Sequence, residues 1–149
     1  MSRKRTARRV WIPMAPRALR PKLDGSQQTD LALAHLINLD LISHGQADEE
    51  ILWHMVEAVF LWSRVADVLQ VGQDEMRAQL ELATRLVERF GRTGRVGFSG
   101  IEYQAAKRGV QVMDELARLV DKPTAVAAAD WSEAKVNALC EACGHRAAA

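Results

Sequence analysis

Apolar residues recur at helical spacing along almost the whole stretch from Leu31 to Val120, and capping residues or glycines divide that pattern into successive segments. Residues three and four apart share one face of an α-helix, so each segment carries a stripe that must be buried against a neighbour. No alternation of β-branched residues competes with this pattern. The chain is therefore expected to be all-α: a compact bundle of four to five helices.

The punctuation predicts the individual helices. Thr29 or Asp30 is expected to cap the first, which runs to about His44 and closes at Gly45. Its residues Leu31, Leu33, Leu36, Ile37, Leu41 and Ile42 cover more than half of its circumference. Such a helix is central in a bundle or lies in an oligomer interface, so a homo-oligomer, most simply a dimer, is expected. Asp48 opens a second helix, with Glu49 and Glu50 favoured in its first turn by the helix dipole, and Gly72 ends it. Its apolar series is Ile51, Leu52, Met55, Val56, Val59, Phe60, Ala66 and Leu69. A third helix starts near Gln73 or Asp74 and shows Met76, Leu80, Ala83, Leu86, Val87 and Phe90, with Glu81 to Arg85 and Glu88 to Arg92 as acid-before-base pairs. A glycine-rich connector, GRTGRVGFSG, follows. Ser99 and Glu102 then form the two ends of a capping box, and Phe98 and Tyr103 are placed as a hydrophobic staple. The fourth helix buries Ala106, Gly109, Val110, Met113, Leu116, Ala117 and Val120, and Pro123 is expected to stop it. An alanine-rich fifth helix lies between Thr124 and Cys143.

Ahead of this body the charge changes abruptly. Arg3, Lys4, Arg5, Arg8, Arg9, Arg17, Arg20 and Lys22 precede the first acidic residue, Asp24. Of 20 basic and 19 acidic residues, this leaves 12 basic against 19 acidic from Asp24 onward, a net charge of −7. Pro13, Pro16 and Pro21 fall in the same stretch and favour extended backbone. Residues 1–28 thus read as a basic, proline-containing arm, with Gly25, Ser26, Gln27 and Gln28 as a linker, and residues 29–149 as the helical domain. A segment this cationic seeks anionic partners. Its basic residues are candidates for phosphate contact, and Trp11 for stacking on a base or an apolar surface; the alternative is a solubilising tail, or one that folds back onto the acidic body.

The run DLALAHLINLDLISHGQADEEILWHMVEAVFLWSRVADVLQVG and the later FGRTGRVGFSGIEYQA carry a family likeness. They resemble a group of small phage- and prophage-encoded proteins that share a basic start, a helix with a mid-helix histidine, a glycine turn, a helix with a tryptophan near its start, and an F-x-x-T-G-x-x-G-x-x-G-x-E connector. Members are often labelled Fis-like transcriptional regulators. The chain departs from the Fis pattern at its C-terminus, where Lys135 and Arg146 are the basic residues. The resemblance supplies no catalytic residues.

Other constellations bound the chemistry. Cys140, Cys143 and His145 form C-E-A-C-G-H, half of a zinc knuckle without a fourth ligand, so the thiols are expected to act as small hydrophobes and to hold no metal. Glu50, His54 and Glu57 share one face of the second helix, but a di-iron site needs further inward carboxylates and a second histidine motif. A solvated face with a partly buried histidine is the expectation. GRTGRVG lacks the G-K-[ST] of a phosphate loop and no strand precedes it, which leaves a helix connector whose Arg92 and Arg95 can supplement an anion surface. Trp53 is either packed under a loop or an exposed anchor, and Trp131 is expected to anchor the last helix. No nucleophile–base grouping can be assembled, so neither an enzyme nor a bound cofactor is expected. Two cysteines three apart cannot staple a fold, nothing resembles a secretory signal, and no apolar run approaches the ~20 residues of a membrane helix. A cytoplasmic protein without membrane contact is the expectation. Two functions fit: a non-enzymatic phage or prophage accessory or regulatory protein whose arm contacts nucleic acid, or an interaction factor that docks on a host or phage protein through its helices, with the arm only a solvated tail.

Overall fold

A computed structural model describes residues 20–143. Arg3, Lys4, Arg5, Arg8, Arg9, Trp11 and Arg17 of the arm, and His145, lie outside the described residues. Within them the chain is all-helical, with five helices: α1 Gly25–Ser43, α2 Glu49–Leu69, α3 Gln73–Thr93, α4 Gly100–Leu119 and α5 Lys122–Ala142.

Local chemistry sets each boundary. Asp48 Oδ1 accepts the Ile51 N–H at 3.0 Å and starts α2 as its sequence predicts. Gln70 and Gly72 both take left-handed backbone in the turn to α3. The box at Ser99 closes both ways, with Glu102 N–H on Ser99 Oγ at 3.3 Å and Ser99 N–H on Glu102 Oε1 at 2.8 Å. The Phe98 and Tyr103 rings meet beside it, 6.4 Å apart.

Two boundaries differ from expectation. The first helix begins at Gly25, so the residues read as a linker form its first turn. Asp24 Oδ1 accepts the Gln27 N–H at 2.8 Å and Gln27 Oε1 accepts the Asp24 N–H at 3.0 Å, a capping box that uses glutamine for its return bond. Neither Thr29 nor Asp30 is the cap. Pro123 sits in the first turn of α5, where its missing N–H costs no helical bond; it starts a helix rather than stopping one.

Helices α1 to α4 form a ring of neighbours in which α1 packs on α2 and α4, and α3 packs on α2 and α4; α5 lies on the outer side of α2. The central helix is therefore α2, which buries Leu52, Val56, Val59, Trp62, Val65 and Ala66 and touches all four others. Of the two places expected for α1, the centre of the bundle is thus taken by α2. Helix α1 buries only His35, Leu39 and Ile42, while Leu33, Leu36 and Ile37 stand 51%, 50% and 55% exposed. An apolar circumference identifies a helix with two faces to cover, but not what covers the second face.

A polar clasp joins α3 to the start of α4. The Arg89 guanidinium reaches both Glu102 carboxylate oxygens, at 2.9 and 3.0 Å, and donates to Gly97 O at 2.8 Å. Burial alone would raise the Glu102 pKa; bonds from Ser99 and Arg89 outweigh it and hold the carboxyl below its ordinary value. On the outer face of α3 the ion pair formed is Arg77 with Asp74, not one of the two pairs spaced four apart. No described helix is long and apolar enough to cross a membrane.

Candidate nucleic-acid interface

Of the nine residues picked out in the arm, Arg20 and Lys22 lie within the described structure, and both sit against the start of α5. The sequence Asp121-Lys122-Pro123-Thr124 places an N-cap residue ahead of a first-turn proline. Asp121 accordingly accepts the Thr124 N–H at 3.0 Å and the Thr124 hydroxyl at 2.8 Å. The Arg20 guanidinium stands 3.8 Å from the same carboxylate, whose residue is 2% exposed. The Lys122 N–H donates to Pro21 O at 2.7 Å, and Lys22 forms an isolated bridge with Asp121. Burial pushes the Asp121 pKa up, but the Thr124 bonds and the Arg20 charge more than offset that and keep it below the usual carboxylate range. The arm is thus fastened where it joins the body.

Beside this fastening lies a groove of about 350 Å³, lined by Arg20, Arg64, Val68, Pro123, Thr124 and Trp131 among others. Trp131 forms its aromatic wall. One ring edge packs against Phe60 of α2, with centroids 6.0 Å apart at 70°, which anchors α5 as expected. Phe60 and Arg64 are four apart on α2, as Trp131 and Lys135 are on α5, so each pair shares a face. The Arg64 guanidinium consequently lies 5.5 Å, and the Lys135 ammonium 5.6 Å, from the indole centroid. Both distances suit cation–π contact. The arrangement offers an aromatic surface and two exposed cations beside Arg20, the described root of the arm. Sequence reading missed it because its parts come from three distant segments; the cap–proline signal at Asp121 is the one local clue.

The other candidates are dispersed. Arg92 is exposed in the last turn of α3 and Arg95 in the connector before α4, whereas the arm joins just beyond the far end of that helix. A 20-residue helix separates the two sites by about 30 Å. His54 is exposed rather than partly buried and lies 3.9 Å from Glu50. The buried histidine is His35. Among the described residues no group of histidine, cysteine and carboxylate side chains is placed to hold a metal. Cys140 is buried and Cys143 exposed. Trp53 is partly buried and donates to Glu49 Oε1 at 3.3 Å. No protein-family model, curated protein or solved structure matches the chain.

Proposed function

We propose that this is a non-enzymatic accessory or regulatory protein, of the phage or prophage kind it resembles, whose basic arm contacts nucleic acid. The observation that carries this reading is the fastening of the arm at Asp121 beside Arg64, Lys135 and Trp131. A solubilising tail has no need of a fixed root, and here Arg20 at the root lines the same groove as Arg64. Phosphate contact supplies affinity without sequence preference, and the acidic remainder of the body keeps bound polymer near the arm.

Salt titration tests this. If Arg3, Lys4, Arg5, Arg8 and Arg9 each neutralise one duplex phosphate, log affinity falls against log salt with a slope of about −4 to −5. Deleting residues 1–19 keeps the Arg20–Asp121 contact and should abolish duplex binding while helicity is retained. Equal affinity of the truncated and full-length proteins would refute the assignment.

A second reading has its own support. The exposed Leu33, Leu36 and Ile37 form an apolar strip on α1 suited to a protein partner, whether a second copy of this chain or a host or phage protein.

A further inference from the structure

We propose that the groove beside the arm root seats one unpaired base of a single-stranded nucleic acid against Trp131, with the adjoining phosphate on Arg64 and Lys135. This inference rests on the arm reading and adds to it the class of strand that is bound.

Three properties of the groove lead to it. Its volume of about 350 Å³ lies at the small end of the range for ligand pockets, which suits one nucleotide unit and not a double helix. Its lining combines an indole with apolar Val68, Pro123, Ala127 and Ala128, a surface that accepts the flat face of a base. Arg64 lines the groove with its guanidinium over the indole, and the ammonium of Lys135 lies over the same indole; both side chains are exposed. A base can take an indole face that one of these cations now covers, and the displaced cation then turns to the phosphate. A guanidinium can also stack over the base itself.

Charge favours this occupant over a neutral aromatic one. The charged side chains that line the groove are Arg20, which faces Asp121, and Arg64, so the lining itself carries only positive charge. The bases of a duplex are stacked inside and cannot reach a side wall of this kind, whereas single strands combine aromatic stacking with a cationic track. At the indole the cations are Arg64 and Lys135. Strand preference therefore resides in the body, and salt-dependent affinity in the arm.

The test measures fluorescence anisotropy of labelled oligothymidylate, oligouridylate and a duplex of equal length at one low salt concentration. Trp131→Leu should weaken single-strand binding by about tenfold, within the range of one lost base stack, and leave duplex binding unchanged. Trp131→Phe should restore most of the loss. Arg64→Ala leaves the Trp131–Phe60 packing in place and should lower single-strand affinity more than duplex affinity. It keeps the question decidable if Trp131→Leu fails to fold by circular dichroism. A loss confined to thymidylate or to uridylate assigns recognition to the 2′-hydroxyl or the thymine methyl group, in which the two strands differ, and a loss on both assigns it to what they share, the pyrimidine face and the phosphate. Single-strand affinity unchanged in folded Trp131→Leu and in Arg64→Ala overturns the groove and leaves the arm reading standing. Failure of the wild-type protein to bind any of the three polymers overturns both.

Discussion

Trp62 of α2 donates its indole N–H to His35 Nε2 of α1 across 3.1 Å, with the two rings perpendicular and both buried. The bond fixes the chemistry of the histidine. Nε2 must be the acceptor, so the neutral ring carries its proton on Nδ1, which has no partner in the interior. Protonation would place two donors face to face. Burial lowers the His35 pKa below its ordinary 6.5, and Asp114, itself paired with Arg118, opposes that only in part. The unfolded chain therefore takes up this proton more readily than the folded one. The stability from neutral His35 is fully present above about pH 6.5 and is lost as pH falls from there through the folded value. Denaturant titrations between pH 8 and pH 5 should show that decline in the wild-type protein and a flatter curve in His35→Leu. At pH 8 the variant should be about 1–3 kcal/mol less stable, because the indole N–H stays buried with no acceptor.

The clasp at the start of α4 gives a graded series. Ser99→Ala removes one N-cap acceptor and should cost ~1 kcal/mol. Glu102→Ala removes the same box from its other end and leaves the Arg89 guanidinium without its carboxylate. Arg89 is one-third exposed, so water recovers part of the loss, and a cost of about 2 kcal/mol is expected. A Glu102→Ala variant no less stable than Ser99→Ala in urea would contradict the ranking.

Gly109 holds α3 and α4 in close approach. A Cβ at this position would run into Gln79 Cδ, and Gln79 is itself buried, with its amide donating to Ala105 O at 3.0 Å. Gly109→Ala therefore pits a gain in helix propensity against a displaced, hydrogen-bonded amide. Overpacking should win, with a net loss of about 1–3 kcal/mol. Pairing the change with Gln79→Ala should recover much of it, and a double-mutant cycle in urea reads that coupling.

The cysteines should separate in reactivity. Burial, reinforced by the neighbouring Cys143 and Glu49, raises the Cys140 thiol above its ordinary pKa, while Cys143 is exposed. Thiolate is the reactive form, so an alkylating agent should modify Cys143 first and Cys140 only on unfolding. Peptide mapping by mass spectrometry after brief treatment distinguishes the two, and equal labelling would contradict the burial of Cys140.

What the sequence made legible is what depends on neighbours along the chain. Asp48, Ser99 and Glu102 act within one turn, so their roles follow from spacing alone. The buried stripe of α4 was legible for the same reason. Asp24 escaped because glutamine closes its box, and Asp121 because the proline after it reads equally as a stop. The groove joins Arg20, Arg64 and Trp131 across α2 and α5, and His35 finds Trp62 27 residues away. Contacts of that kind are set by helix packing, to which periodicity assigns a face but no partner.

The exposed strip on α1 leads to the last prediction. Leu33, Leu36 and Ile37 lie three and four residues apart, so they form one continuous face on a helix whose opposite side already meets α2 and α4. Burial of large apolar side chains of this kind yields about 25 cal/mol per Å² of surface removed from water, and a two-fold dimer meets each strip with its own copy. Light scattering at rising concentration should therefore pass from the 16.6 kDa monomer mass towards twice that value. Leu36→Glu and Ile37→Glu should hold the protein monomeric with helicity unchanged, since neither side chain enters the core. A monomer mass for the wild-type protein at the highest concentration would refute self-association and leave the strip to a different protein partner.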